Sequence, residues 1–199
     1  MRRVAVAGLL FLAAALTPLA CFTPQQETTL YHLVPSGDGD AVAPGDDGLT
    51  LGLGSVVIPR YLDRPQLVTR LEGNQVRLEV FHQWAEPLQS NLERVLADDL
   101  LVLTGAKRVL RAPYRHPSEI DLRIGVEIIR FEGTEQGDCM LSAEWVISGK
   151  GDEALRRRRS RFTGRASGEG IPAVVACLSG LLGELGRAVA GDVTAVAGR

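Results

Sequence analysis

An α+β domain, a mainly antiparallel sheet with two long helices packed on one face, is the fold this sequence predicts. Three observations carry the prediction. Apolar and polar residues alternate from Ile120 to Ile128, the period of a strand with one wet face and one buried face. Apolar residues recur at helical spacing twice, in the middle of the chain and at its end. Turn residues such as Gly73-Asn74 separate neighbouring strand-like runs, which groups the strands into hairpins.

The elements follow in order. "TLYHLV" reads as a first strand within 28–34, and "PSGDGDAVAPGDDG" after it has the glycine, proline and aspartate content of a loop. "LTLGLGSVVI" reads as a buried strand. "QLVTRL" and "QVRLEV" flank Gly73-Asn74, a two-residue turn that marks a hairpin. From Glu86 the period changes: Leu88, Leu92, Val95, Leu96 and Leu103 share one helical face, with Pro87 in the first turn and Gly105 just past the end. "KRVLR" is a short strand. In the alternating run Ile120, Leu122, Ile124, Val126 and Ile128 lie on the core face, and the phase slip at Ile129 and Phe131 predicts a β-bulge. "MLSAEWVIS" and "RRRRSRFTG" form another hairpin. The second long helix carries Ile171, Val174, Val175, Leu178, Leu181, Leu182, Leu185 and Val189.

Residues 1–20 carry two arginines, an uncharged apolar run and small Ala20 before Cys21, the organisation of an export signal. The run is shorter than the roughly 20 residues a spanning helix needs. "LTPLAC" resembles a bacterial lipobox, so Cys21 is the expected lipidation site. Pro18 stands where that pattern has an apolar residue, which leaves open ordinary cleavage with Cys21 as a free thiol. The chain therefore divides into a signal peptide at 1–20, a lipidated tail with first strand and loop at 21–48, and a periplasmic α+β domain at 49–199 that the first strand joins. Loss of the signal removes two arginines and moves the formal net charge from −2 to −4. Such a domain has no basic excess and is a poor nucleic-acid binder, because phosphate contacts need a clustered Lys/Arg surface.

Cys139 and Cys177 remain after Cys21; in an oxidising compartment they either pair as a disulfide or are two isolated core residues. The aspartates at 38, 40, 46 and 47 lack the spacing of a calcium loop. "GLGS" at 52–55 lies inside a strand and not at a strand-to-helix turn, so it is no phosphate cradle. "YRHPSE" places His116, Ser118 and Glu119 side by side, and His32 and His82 lie elsewhere. Catalytic triads are assembled from separate segments, and none of these histidines has metal-ligand spacing. No catalysis, metal or cofactor is expected.

"VVIPRYLDRPQLVTR" at 56–70, the Gly73-Asn74 turn and "WAEPL" at 84–88 closely resemble the PqiC/YmbA family, auxiliary lipoproteins of ABC-type, MCE-domain lipid transport systems of Gram-negative bacteria. The resemblance is specific from "YHL" at 31 to Leu103; beyond that it holds in element order. It implies a periplasmic domain on an outer-membrane lipid anchor, with an MCE-domain protein and an ABC permease as partners. The run Arg156 to Arg159 takes no role from it. Two further readings stand beside this one, a pilot lipoprotein that chaperones another outer-membrane component and, far behind, a hydrolase.

Within "PRYLDRP", Pro59 and Pro65 stiffen a projection between two strands, and Arg64 is held extended by the proline after it. Tyr61 and Leu62 are expected to plug the sheet end. Asp63 is expected to point inward, accepting hydrogen bonds across the turn or pairing with Arg64 or Arg70. Arg60, Tyr61, Leu62 and Arg64 have the side-chain types of interface hot spots and are the candidate partner-binding residues; Pro59, Asp63, Pro65, Arg70 and Trp84 form the structural motif. Outside the two helices no apolar stripe is left to line a lipid groove, so direct lipid binding stays open and docking is the expected role. The arginine run is expected to be a solvated hairpin edge with charge on both faces.

Overall fold

The computed structural model describes residues 26–35 and 48–198. The expected signal peptide, Cys21 and the aspartates at 38, 40, 46 and 47 lie outside them. Eight strands form one mixed sheet: β1 (Thr29–Tyr31), β2 (Thr50–Leu53), β3 (Gln66–Arg70), β4 (Val76–Trp84), β5 (Arg108–Arg111), β6 (Leu122–Thr134), β7 (Asp138–Ser148) and β8 (Ala154–Arg165). The helices are α1 (Leu88–Thr104) and α2 (Gly170–Ala197). The fold is α+β. The long pairings β6–β7–β8 and β3–β4 are antiparallel. Four short parallel pairings, β1–β4, β2–β5, β2–β6 and β3–β6, complete the sheet.

Local chemistry explains the element ends. Pro87 precedes α1, whose last turn closes on Gly105 at φ 62°, a left-handed conformation that glycine adopts without strain. In the β3–β4 hairpin the Leu71 N–H donates to the Gln75 carbonyl at 3.0 Å, so the bond that closes the turn encloses three residues, Glu72 to Asn74, not the two expected. Only Gly73, at φ 67°, takes the positive dihedral there. In β6, Leu122, Ile124, Val126 and Ile128 are buried, and the register with β7 slips between Ile128 and Arg130. The bulge falls on Ile129, where the phase of the sequence breaks.

β6 organises the molecule. One edge pairs along its length with β7. Its other edge is shared: β2 takes Leu122 to Ile124, Val57 bridges Glu127, and β3 takes Gly133 and Thr134. Residues 50–70 thus form an interrupted strand alongside β6. The long buried strand expected at 49–58 is therefore short, ending at Leu53, because the chain meets β6 afterwards only at isolated points. Between Val57 and Gln66 it leaves the sheet altogether, opposite the Ile129 bulge, and this excursion is "IPRYLDRP".

α2 lies across β6, β7 and β8, and α1 packs on α2 and β5. α2 is long and apolar enough to cross a membrane by composition, but Val174, Leu178, Leu181, Leu182, Leu185 and Val189 are buried against the sheet and α1. It serves as a core helix here. Ile120, expected on the core face with Leu122 and Ile124, is buried outside the main core on the other side of the sheet, where Gly52 gives it its place: a Cβ there would lie 2.8 Å from Ile120 Cδ1. "GLGS" is thus a packing feature.

Candidate functional site

The excursion is a tight turn. Leu62 N–H donates to Pro59 O at 2.9 Å, Asp63 N–H to Arg60 O at 3.2 Å and Arg64 N–H to Leu62 O at 2.9 Å. Leu62 is buried in the main core. Tyr61 folds back over β6, and its hydroxyl donates to Glu132 Oε2 at 3.4 Å. Arg70 reaches the same carboxylate from β3, with Nε at 2.9 Å and Nη2 at 2.5 Å from Oε1. Glu132 is 2 % exposed. A carboxylate so buried requires a cationic partner and further hydrogen bonds; β3 supplies the cation through Arg70 and the excursion a hydrogen bond through Tyr61. Burial, and then the adjacent Glu132 charge, push the Tyr61 phenol up to about 12.

The turn also meets "WAEPL". Pro65 O accepts from the Trp84 N–H at 2.7 Å, and Gln66 pairs with Gln83. Trp84 is buried, with the Phe131 ring at 6.3 Å. Asp63, Arg64, Pro65, Trp84, Glu86 and Pro87 line a cavity of about 320 Å³. A second cavity, of about 360 Å³, lies beyond the Arg70–Glu132 pair and is lined by Thr134, Met140 and Thr163. From the other side, Ala85 N–H donates to Tyr31 O at 2.7 Å. Arg94 of α1 bonds Leu33 O and Glu86 at 3.2 Å each. These contacts tie the first strand, the excursion and the start of α1 into one rim.

Two expectations are corrected here. Asp63 is exposed and among the described residues has no side-chain hydrogen bond or ion pair, neither across the turn nor with Arg64; Arg70, the other partner expected, is taken by Glu132. Leu62 is 3 % exposed and so unavailable to a partner. Arg60 points to solvent, while Arg64 is half-buried with its Nε enclosed and unpartnered. Glu132 escaped the sequence reading because a single acidic residue late in an alternating strand looks like any solvated position. The bulge three residues earlier is the one local hint that its surroundings change.

Elsewhere, the His82 Nδ1 and the Tyr31 hydroxyl are 2.9 Å apart, and Glu119 pairs with Arg108. His116 precedes a short 3-10 turn at Pro117–Glu119. Nothing gathers these side chains into a constellation. Contrary to expectation, some apolar surface is left over: Val76, Leu78, Val80 and Phe81 of β4, with Leu30 of β1, are exposed.

Residues 31–190 match the family described as ABC-type transport auxiliary lipoprotein component. The chain belongs to this family. Both halves of the rim, "PRYLDRP" and "WAEPL", lie within the matched segment. Among relatives of this auxiliary lipoprotein family, the intermembrane transport lipoprotein PqiC of Escherichia coli (strain K12) is 22 % identical over 180 residues, covering 90 % of this chain and 94 % of the relative. PqiC of Shigella flexneri matches equally. Two crystal structures share the fold. One, of an uncharacterized protein, superposes with a TM-score of 0.70 at 18 % identity, over 84 % of this chain and 99 % of that one. The other, from Xanthomonas campestris, gives 0.66 at 15 % identity, over 85 % and 96 %.

Proposed function

We propose that this auxiliary lipoprotein is a non-enzymatic subunit, held by lipid on Cys21 to the periplasmic side of the outer membrane. There it docks or orients an MCE-domain protein and its ABC permease for lipid traffic. The observation that carries this reading is the rim, where the two sequence motifs of the excursion and "WAEPL" meet around one cavity. The family's role as an ABC transport auxiliary and the relatives' designation as intermembrane transport lipoproteins support it. A partner would meet a turn already ordered by its own hydrogen bonds, which lowers the entropy cost of association.

Arg60 and Arg64 are the side chains through which the rim contacts the partner. Neither makes an ion pair within the described residues, so both are available to an acidic or carbonyl-rich surface. The double variant Arg60→Ala/Arg64→Ala should fold normally and lose at least tenfold in affinity for the MCE-domain protein, measured by co-purification and by titration of the soluble domain. Unchanged binding by the folded double variant would remove the rim from this role.

A further inference from the structure

The chain has three cysteines, and the fold brings two of them together. Cys139 in β7 is paired across the strand with Gly164 of β8. A Cβ at Gly164 would lie 3.3 Å from Cys177 Sγ, so the α2 thiol occupies the space left by the missing side chain of Cys139's neighbour. Cys139 Sγ approaches the Val174 carbonyl at 3.9 Å, one helical turn before Cys177. Residues 38 positions apart, on a strand and on the helix packed over it, thus meet at one point.

We propose that Cys139 and Cys177 form an intramolecular disulfide after export, stapling α2 to the β7–β8 hairpin. The inference rests on the export reading of residues 1–20. The oxidant is a periplasmic thiol oxidase, a protein carrying a reactive disulfide. Cys177 is the half-exposed partner, so its thiolate attacks first; one oxidase sulfur leaves as thiolate and a mixed disulfide forms. The Cys139 thiolate then attacks Cys177 Sγ and expels the second oxidase sulfur. Two electrons pass to the oxidase, which is left as a dithiol, and the two cysteines give up two protons. Burial, and after it the neighbouring Cys177, push the Cys139 thiol up. The second step is therefore fastest before α2 has docked, while Cys139 still meets water.

The test uses the full chain expressed with its own signal in an oxidase-proficient Gram-negative host. The culture is quenched in acid, denatured and alkylated with maleimide without reductant. Peptide mapping is confined to signal-cleaved chains, so failed export appears separately as unprocessed protein. The expected result is a peptide joining Cys139 to Cys177, with neither carrying maleimide until reductant is added. Reductant should lower the Tm of wild type by roughly 5–10 °C and leave that of Cys139→Ala/Cys177→Ala unchanged. Maleimide on both residues of the processed chain without reductant, or a linkage to Cys21 or to a second chain, overturns the proposal.

Discussion

Glu132 shows how much one side chain depends on its surroundings. Its carboxylate is almost without solvent and is held by Arg70, which is 31 % exposed, and by Tyr61. Removing the cation alone leaves a buried charge uncompensated, which typically costs several kcal/mol. Arg70→Ala should therefore destabilise the domain by about 2–4 kcal/mol in urea unfolding. Asp63→Ala, on the exposed side of the same turn, should change stability by no more than about 0.5 kcal/mol. The Tyr61 phenol is raised above its unfolded value of 10.0, so the fold prefers its neutral form. That stabilisation is complete below pH 10 and is lost as pH climbs toward about 12, because the unfolded chain gives up the proton first. Tyr61→Phe should flatten the alkaline fall in stability across this window, read from Tm against pH.

At the scale of elements, β8 divides its arginines between the two faces of the sheet. Arg156 and Arg158 turn toward α2, where they pair with buried Asp192 at 3.1 and 3.5 Å. Asp192 also accepts from the Trp145 indole N–H at 3.0 Å, and Arg158 stacks over that ring. Arg157 pairs with Glu144 on the opposite face, while Arg159 and Arg161 are exposed there. Among the described residues β8 bonds only to β7, so it is an open edge there, and charge on an edge opposes strand-to-strand association. The two sets should separate experimentally. Arg156→Gln with Arg158→Gln should lower stability by about 1–3 kcal/mol, because a buried carboxylate loses its cations. Arg157→Gln, Arg159→Gln and Arg161→Gln together should leave Tm nearly unchanged but promote concentration-dependent association, measured by light scattering.

For the whole molecule, the interrupted strand along β6 joins fold and function. If β2 and β3 were continuous, the excursion would vanish and Glu132 would lose Tyr61; because they are not, a rigid turn stands beside the start of α1. The first strand adds to this rim through β4. Cys21→Ser should leave the protein unlipidated and released from the membrane fraction, because the described helices are spent on the core. Equal incorporation of labelled fatty acid by wild type and variant would place the anchor elsewhere.

By itself the sequence determined the helices, the hairpins, the alternating face of β6 and its bulge. These are written in the spacing of neighbouring residues, which reports which face of an element is buried. The family resemblance was legible for the same reason, being carried by short contiguous motifs. Only the tertiary structure decided that β2 and β3 share one edge of β6, that Arg70 pairs with Glu132 and not Asp63, that Leu62 belongs to the core, and that Cys139 meets Cys177. Each of these joins residues 38 or more positions apart, or turns on the absence of such a partner. Burial imposes a period on a segment, but the choice among distant partners follows from how the layers pack, and leaves almost no trace in local order.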